Sequence, residues 1–412
     1  MITIVDSICG SGKTSWAIQE MNKNLNQKYI YITPYLDEVD RVVKECDDRY
    51  FYKPDEKLGQ GKKMNHFIKM LKEGCNIVST HALFRDVSRD TIELIKENNY
   101  TLILDEVMNI IEQIDIDNDD LQMLLNDNII YIEEGSNKIL WNPDKLNYKG
   151  KFKNIKNSIL QGDVYYVRGS VVMWSFPVKT FEYFDDIYIL TYLFKGQLQR
   201  AYYDMYNISY EYKSVQYVGT EGWGSLEKRI YELVEYKDAD KTELRKLINI
   251  YNNKKKNMIG DKKGKENPLS AGWFARQVEN KTDRLTILKN NIYYFFKNEC
   301  KSKSKDNMYC VFKEYEQKCK GDGYSKGFVV FNKRATNEYR HKKNLAYCIN
   351  LFINPFDKAF FTDKDVEVDE DTWALSELIQ WMFRSQLRDG KPINIYIPSE
   401  RMRNLLLEWL NE

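Results

Sequence analysis

Three groups of residues in this sequence have the types and spacing to act on a triphosphate. The first is Ser7-Ile8-Cys9-Gly10-Ser11-Gly12-Lys13-Thr14-Ser15, a glycine loop ending in Gly-Lys-Thr. Gly10 and Gly12 let the backbone curl so that its N–H groups face inward around phosphates. Lys13 would reach the terminal phosphates, Thr14 would offer its hydroxyl to magnesium, and the following helix would add its partial positive charge. Ser7 stands where the usual pattern has its first glycine. The second group is Leu102-Ile103-Leu104-Asp105-Glu106. An apolar run ending in two acids places Asp105 at a strand tip for the metal, usually through water, and Glu106 beside an attacking water. Taken alone, such a pair reads equally as solvated acids, and it gains meaning from the glycine loop upstream. The third group is Gln380, Arg384 and Arg388, which recur every four residues. On a helix they project within an arc of roughly 80°. Two arginines so placed repel unless an anion sits opposite; a salt bridge to another element is the competing explanation.

These groups need elements to hold them. Met1–Val5 reads as a buried strand, the glycine loop follows, and Ser15-Trp16-Ala17-Ile18 opens a helix. Lys28–Thr33 reads as a second strand stopped by Pro34, Cys75–His81 as a third, and Tyr100–Asp105 as a fourth, with helices over 64–73 and 88–97. Short continuous apolar runs between helices predict a parallel sheet covered on both faces, with ligands at the carboxyl ends of its strands. Thr14, Thr33, Thr80 and Asp105 fall at or just beyond such ends. Residues 128–178 break the alternation with two β-hairpins, an elaboration of the first domain or, less simply, a nucleic-acid clamp. Ile187–Thr191 resumes the sheet. Farther on, a strand is expected over 210–218, helices over 226–235 and 241–252, and a basic loop over 254–265. A helix at 283–298 and strands at 308–312, 327–332 and 345–350 follow. A helix over Leu375–Arg388, stopped by Asp389-Gly390-Lys391-Pro392, leads to a closing strand at 393–397.

Composition narrows the classes. The 412 residues are ample for two or three domains. With 62 basic and 61 acidic side chains, any nucleic-acid surface must be a local patch. Seven scattered cysteines without a Cys-x-x-Cys pair support neither zinc nor a disulfide framework, which fits a reducing cytoplasm. No apolar run approaches membrane-spanning length, and the glycine loop starts too near Met1 for a signal peptide to be expected. Richness in Lys, Asn, Ile and Tyr is the composition of an AT-rich genome, such as a phage or a low-GC bacterium.

The glycine loop, Asp105-Glu106 and the late Gln-x-x-x-Arg-x-x-x-Arg, in that order, resemble a divergent superfamily 2 helicase of the DEAD/DEAH-like class. Ile32-Thr33-Pro34 and Ser79-Thr80-His81 resemble its early strand-contacting motifs, and Leu190-Thr191-Tyr192 sits where its coupling motif would. Arg334-Ala335-Thr336-Asn337-Glu338-Tyr339 lies where its fifth motif would. Asp105-Glu106-Val107-Met108 is neither DEAD nor DEAH, and no adenine-reading segment precedes the loop. The resemblance implies an α/β fold of two RecA-like parallel-sheet domains, at 1–195 (with the β-rich insertion) and 301–412, joined by a helical or irregular segment at 196–300. It implies ATP and magnesium bound by Ser7, Gly10, Ser11, Gly12, Lys13, Thr14, Ser15 and Asp105. Glu106 would act on water, and Gln380, Arg384 and Arg388 would complete the site, the arginines as fingers from the second domain. It also implies a nucleic-acid strand, single-stranded DNA ahead of RNA, gripped by Thr33, Pro34, Thr80, His81, Thr336 and Asn337 through its phosphates.

Other functions fit parts of the pattern. A terminase-like packaging ATPase would need a C-terminal nuclease with separated acids, whereas the acids at 363–371 are packed into one loop. A small-molecule P-loop kinase would not need the late arginines, and a binding module without ATPase chemistry would not need Lys13, Thr14, Asp105 and Glu106 together.

Overall fold

The computed structural model describes residues 1–87, 89–222, 227–332 and 337–411. Its strands are β1 (Ile2–Asp6), β2 (Lys28–Thr33), β3 (Phe51–Tyr52), β4 (Asn76–Thr80), β5 (Tyr100–Asp105), β6 (Ile111–Ile114), β7 (Ile130–Ile132), β8 (Ile139–Trp141), β9 (Asp163–Val167), β10 (Val171–Ser175), β11 (Ile187–Thr191), β12 (Glu211–Glu221), β13 (Lys228–Glu235), β14 (Ile248–Tyr251), β15 (Asn307–Cys310), β16 (Asn344–Tyr347) and β17 (Ile393–Tyr396). The α/β class expected from the alternation of apolar runs and helices is what the structure shows.

The first unit comprises Met1–Ser7, Ser11–Lys237 and Asn354–Val368. Its main sheet runs β13-β12-β1-β11-β5-β2-β4-β3 and is parallel except for the β12–β13 hairpin. The central strands β1, β2 and β5 are buried almost throughout, which is why they read as unbroken apolar runs rather than alternating ones. Alternate residues nevertheless feed two separate cores. Ile4, Ile30, Ile32, Leu102, Leu104 and Ile189 pack with Phe67, Ile95 and Tyr203 from helices on one face. Val5, Tyr31, Val78, Ile103 and Leu190 pack with Trp16, Met21 and Val42 on the other. Register brings the carboxyl tips level: Asp6 opposes Thr191, Leu190 opposes Asp105, and Thr33 opposes Thr80.

The two hairpins expected at 128–178 are β7–β8 and β9–β10, and β10 also pairs with β6 to make a separate antiparallel sheet. Helix Pro355–Thr362 belongs to this unit although the chain around it does not. Ala359, Phe360 and Phe361 join its core, Phe360 meets Tyr165 edge-on at 5.4 Å, and Arg168 pairs with Asp363 through two hydrogen bonds.

The second unit comprises Asp238–Ile353 and Asp369–Glu412, with Ile8–Gly10. Its parallel sheet runs β14-β17-β16-β15. Asn394 donates to Asn344, and Asn344 to Asn307, so an asparagine ladder ties neighbouring strands.

Several expectations from sequence are corrected. Residues 196–300 are no separate connecting segment: 198–235 extend the first unit and 242–299 build the second. Residues 228–235 form β13, not a helix, because the long strand β12 offers a complete antiparallel partner. The helix expected over 241–252 ends at Leu247, and Ile248–Tyr251 pairs with β17. Residues 327–332 join the second sheet only at the single bridge Tyr309–Phe328. The carbonyls of Val329, Val330 and Phe331 accept instead from the side chains of Trp381 and Arg384.

Phe360→Ala should destabilise the protein by roughly 3–5 kcal/mol, the cost of emptying a fully buried aromatic site. Hydrogen exchange should show the loss in β9 and β10, far away in sequence. Loss confined to residues around 345–353 would contradict the assignment of this helix to the first unit.

Candidate functional site

β1 delivers the chain to the glycine loop, and helix Lys13–Lys23 carries it away. Gly10 has φ +84° and Gly12 φ +101°, backbone that side-chain-bearing residues rarely adopt. Gly12 is doubly constrained, since a Cβ there would lie 2.2 Å from the ring of Tyr231 on β13. Lys13 folds back to donate from Nζ to the carbonyl of Ser7. Ser7, in the place of a glycine, uses its hydroxyl to accept from the N–H of Val215 at 2.8 Å, so it fastens β12 to the loop. Ser15 Oγ lies 3.4 Å from Arg41.

Asp105 ends β5 and is almost wholly buried. Its Oδ2 accepts from Tyr31 Oη at 2.7 Å and lies 3.4 Å from Thr14 Oγ1. Burial, and after it the neighbouring Glu106 carboxylate, push the Asp105 carboxyl up to about 7 against the pull of the Tyr31 hydroxyl. Burial and Asp105 together hold the Tyr31 phenol well above its ordinary range. Glu106 takes φ +72°, unusual for a non-glycine residue, while its N–H donates to Leu190 of β11 at 2.9 Å. Strained backbone directly after a buried carboxylate fits a site held in place by its surroundings.

Asp6 organises the neighbouring turn. Its two carboxylate oxygens accept from the N–H groups of Leu193 and Phe194 at 2.9 and 2.8 Å. The segment Leu190-Thr191-Tyr192 is thereby held beside the loop. Sequence reading gave no role to Asp6, Tyr31 or Tyr231. The signals were an acid directly before a glycine loop and a tyrosine two residues before a strand tip; nothing local announced Tyr231.

The loop and strand tips leave hydroxyls without hydrogen bonds: Ser11 Oγ, Thr33 Oγ1 and Thr191 Oγ1 are buried and unpartnered. Thr14 and Asp105 supply one hydroxyl and one carboxylate, the donor set with which a cation bound mainly by phosphates is completed.

The nucleic-acid candidates divide. Pro34, Thr80 and His81 are partly exposed at the ends of β2 and β4, but Thr33 is fully buried and does not reach the surface. Thr336 lies outside the described residues, and Asn337 opens a short 3-10 turn, Asn337–Tyr339. The late arginines do not share a helix face, correcting the Leu375–Arg388 helix. The helix spans Glu370–Met382; Ser385 then donates to the carbonyl of Met382 and accepts from the N–H of Leu387, starting the 3-10 turn Gln386–Asp389. Gln380 is partly buried on the helix. Arg384 is buried, donating to Val330 and Phe331 at 3.2 and 2.9 Å, and Arg388 is exposed on the turn.

Ionised Asp105 opposes folding in the ligand-free protein. Its pKa is raised by folding, so its favourable contribution is complete below about pH 4 and is lost as pH rises through about 7. Asp105→Asn should therefore raise the unfolding temperature near pH 8, with the gain over wild type shrinking towards pH 4. Thermal unfolding of both proteins across this range would show it, and a pH-independent difference would contradict it.

Comparison with known proteins places the chain. The YonV middle domain matches residues 111–174, the span of β6 to β10, and the YonV C-terminal Rossmann-like domain matches residues 242–410. The SPβ prophage-derived protein YonV of Bacillus subtilis (strain 168) is 41% identical over 423 aligned positions, covering 99% of this chain and 98% of the relative. Among solved structures, S. tokodaii Xpd4 matches with a TM-score of 0.48 and 13% identity over 99% of this chain and 93% of that one. A structure described as XPD helicase matches with a TM-score of 0.44 and 10% identity, over 100% and 95%. Identity sustained along essentially the full length of both sequences means that this chain belongs to the YonV family.

Proposed function

We propose that this protein is an ATP-hydrolysing motor that acts on a nucleic-acid strand. The observation that carries the reading is the meeting of Thr14 and Asp105, 3.4 Å apart, where a Gly-Lys-Thr loop and an Asp-Glu strand tip come together on one sheet edge. Phosphoryl transfer needs little covalent chemistry from a protein; it needs positioning and charge. The loop N–H groups and Lys13 would bind the phosphates, with Lys13 exchanging the Ser7 carbonyl for a phosphate oxygen. Magnesium, held by Thr14 and Asp105, would neutralise charge on those phosphates. Glu106 would accept a hydrogen bond from the attacking water and take its proton. Asp6 would keep the Leu190–Tyr192 segment in contact with the loop.

The nucleic-acid part rests on the order of motifs: Pro34, Thr80 and His81 lie at strand tips on the same edge as Asp105. Single-stranded DNA is the favoured strand, with RNA as the alternative. In the second unit, Arg384 is a positioning residue for Val330 and Phe331, and the exposed Arg388 is the arginine available to an anion. Of the acids at 363–371, too closely packed for the separated metal ligands of a packaging nuclease, Asp363 pairs with Arg168 and Asp371 with Arg401.

Glu106→Gln should bind ATP as wild type does, with turnover lowered about 10²- to 10⁴-fold, whereas Lys13→Ala should lose both. Arg388→Ala should keep ATP affinity within a few-fold while turnover falls. Wild-type turnover should rise with single-stranded polynucleotide, more weakly as salt increases. ATP turnover indifferent to both DNA and RNA would remove the motor and leave an ATPase of another class.

A further inference from the structure

β12 does not stop where β1 stops. Val5 of β1 opposes Lys213, and beyond that register Ser7 Oγ accepts from Val215, so Tyr217 stands two residues past the glycine loop's anchor. At about 3.3 Å per residue this is roughly 7 Å beyond it. Alternation puts Tyr217 on the same face as Val215, which packs into the core formed with Trp16 and Met21 of the loop's own helix. Tyr231, the residue paired with Tyr217 on β13, also packs against that core, and its ring lies directly over Gly12. The two rings meet edge-on, 5.9 Å between centroids, and Tyr217 is 52% exposed. A register irregularity follows at Tyr217–Gly219, with Gly219 at φ +152°, the kind of bulge that re-aims a side chain. Gln19 of the helix accepts from the Tyr231 N–H and donates to the Arg229 carbonyl, which fixes the hairpin to the element that follows the loop.

We propose that Tyr217 and Tyr231 form the nucleobase platform of the triphosphate site. An exposed tyrosine backed by a second ring that touches the phosphate loop offers a flat π-face at the end of the site opposite to Asp105. Such a face selects a planar ring by stacking. The larger face of a purine would cover more of Tyr217 than a pyrimidine would. The inference deepens the proposed ATP site and rests on it.

The test compares ATP with inorganic tripolyphosphate, which has the phosphates and no base. Calorimetric titration in the presence of magnesium would be run on wild type, Tyr217→Ala and Tyr217→Phe. Wild type should bind ATP more tightly than tripolyphosphate. Tyr217→Ala should weaken ATP binding by roughly 10- to 100-fold and leave tripolyphosphate unchanged, while Tyr217→Phe keeps most of the affinity. ATP affinity unaltered in Tyr217→Ala, or an equal loss for both ligands, would overturn the platform while leaving the phosphate site standing. Failure of wild type to bind either ligand would overturn the nucleotide site itself, and the platform with it.

Discussion

A buried carboxylate at a strand tip is the constraint around which the first unit is arranged. Asp105 has lost nearly all contact with water, and Glu106 follows it directly, so its charge is held at a cost. The structure offsets that cost with two hydroxyls from different elements, Tyr31 from β2 and Thr14 from the loop's helix. Both can be present only if β5, β2 and β1 end level, which the register delivers. Core packing on the two faces of the sheet therefore fixes the separation of the polar groups, and a shift of one residue would send Tyr31 to the wrong face.

The glycine loop is held from a second side by the β12–β13 hairpin. Ser7 looks like a loss of conformational freedom when it is compared with the usual glycine. In the structure its hydroxyl satisfies the N–H of Val215, which continues the β1–β12 ladder past the end of the strand. Gly12 shows the converse dependence, since its missing side chain is the space in which Tyr231 sits. One position gained a side chain and the other could not have one, and both for the same hairpin.

Much of this was legible in the sequence. β1, β2, β4, β5 and β11 are short apolar runs punctuated by helices and turn residues, so their identity and shared carboxyl edge follow from pattern alone. The meeting of Thr14 with Asp105 was implied by the spacing of the Gly-Lys-Thr and Asp-Glu motifs. The misreadings arose where long-range pairing decided the outcome. Lys228–Glu235 carries Ile230, Tyr231 and Val234, yet nothing local says that β12 lies beside it. Helix Pro355–Thr362 has ordinary helical signals, but partners such as Tyr165 and Arg168, almost two hundred residues earlier, decide which unit it joins. Val329–Phe331 looks like a strand because it is apolar and β-branched; side-chain donors, invisible to periodicity, take its carbonyls.

The late arginines show how a periodicity argument fails. Spacing by four places residues on one face only while the helix lasts, and here Ser385 competes for backbone groups and ends it. Arg384 then turns inward, and its guanidinium donates to the carbonyls of Val330 and Phe331. A buried cation held in this way cannot be withdrawn without leaving the Val330 and Phe331 carbonyls unpaired, a cost of about 1–3 kcal/mol for each group. That fixes Arg384 as a support for the segment that runs towards residue 332. Arg388, beyond the helix end, is exposed on the 3-10 turn and bears no such burden.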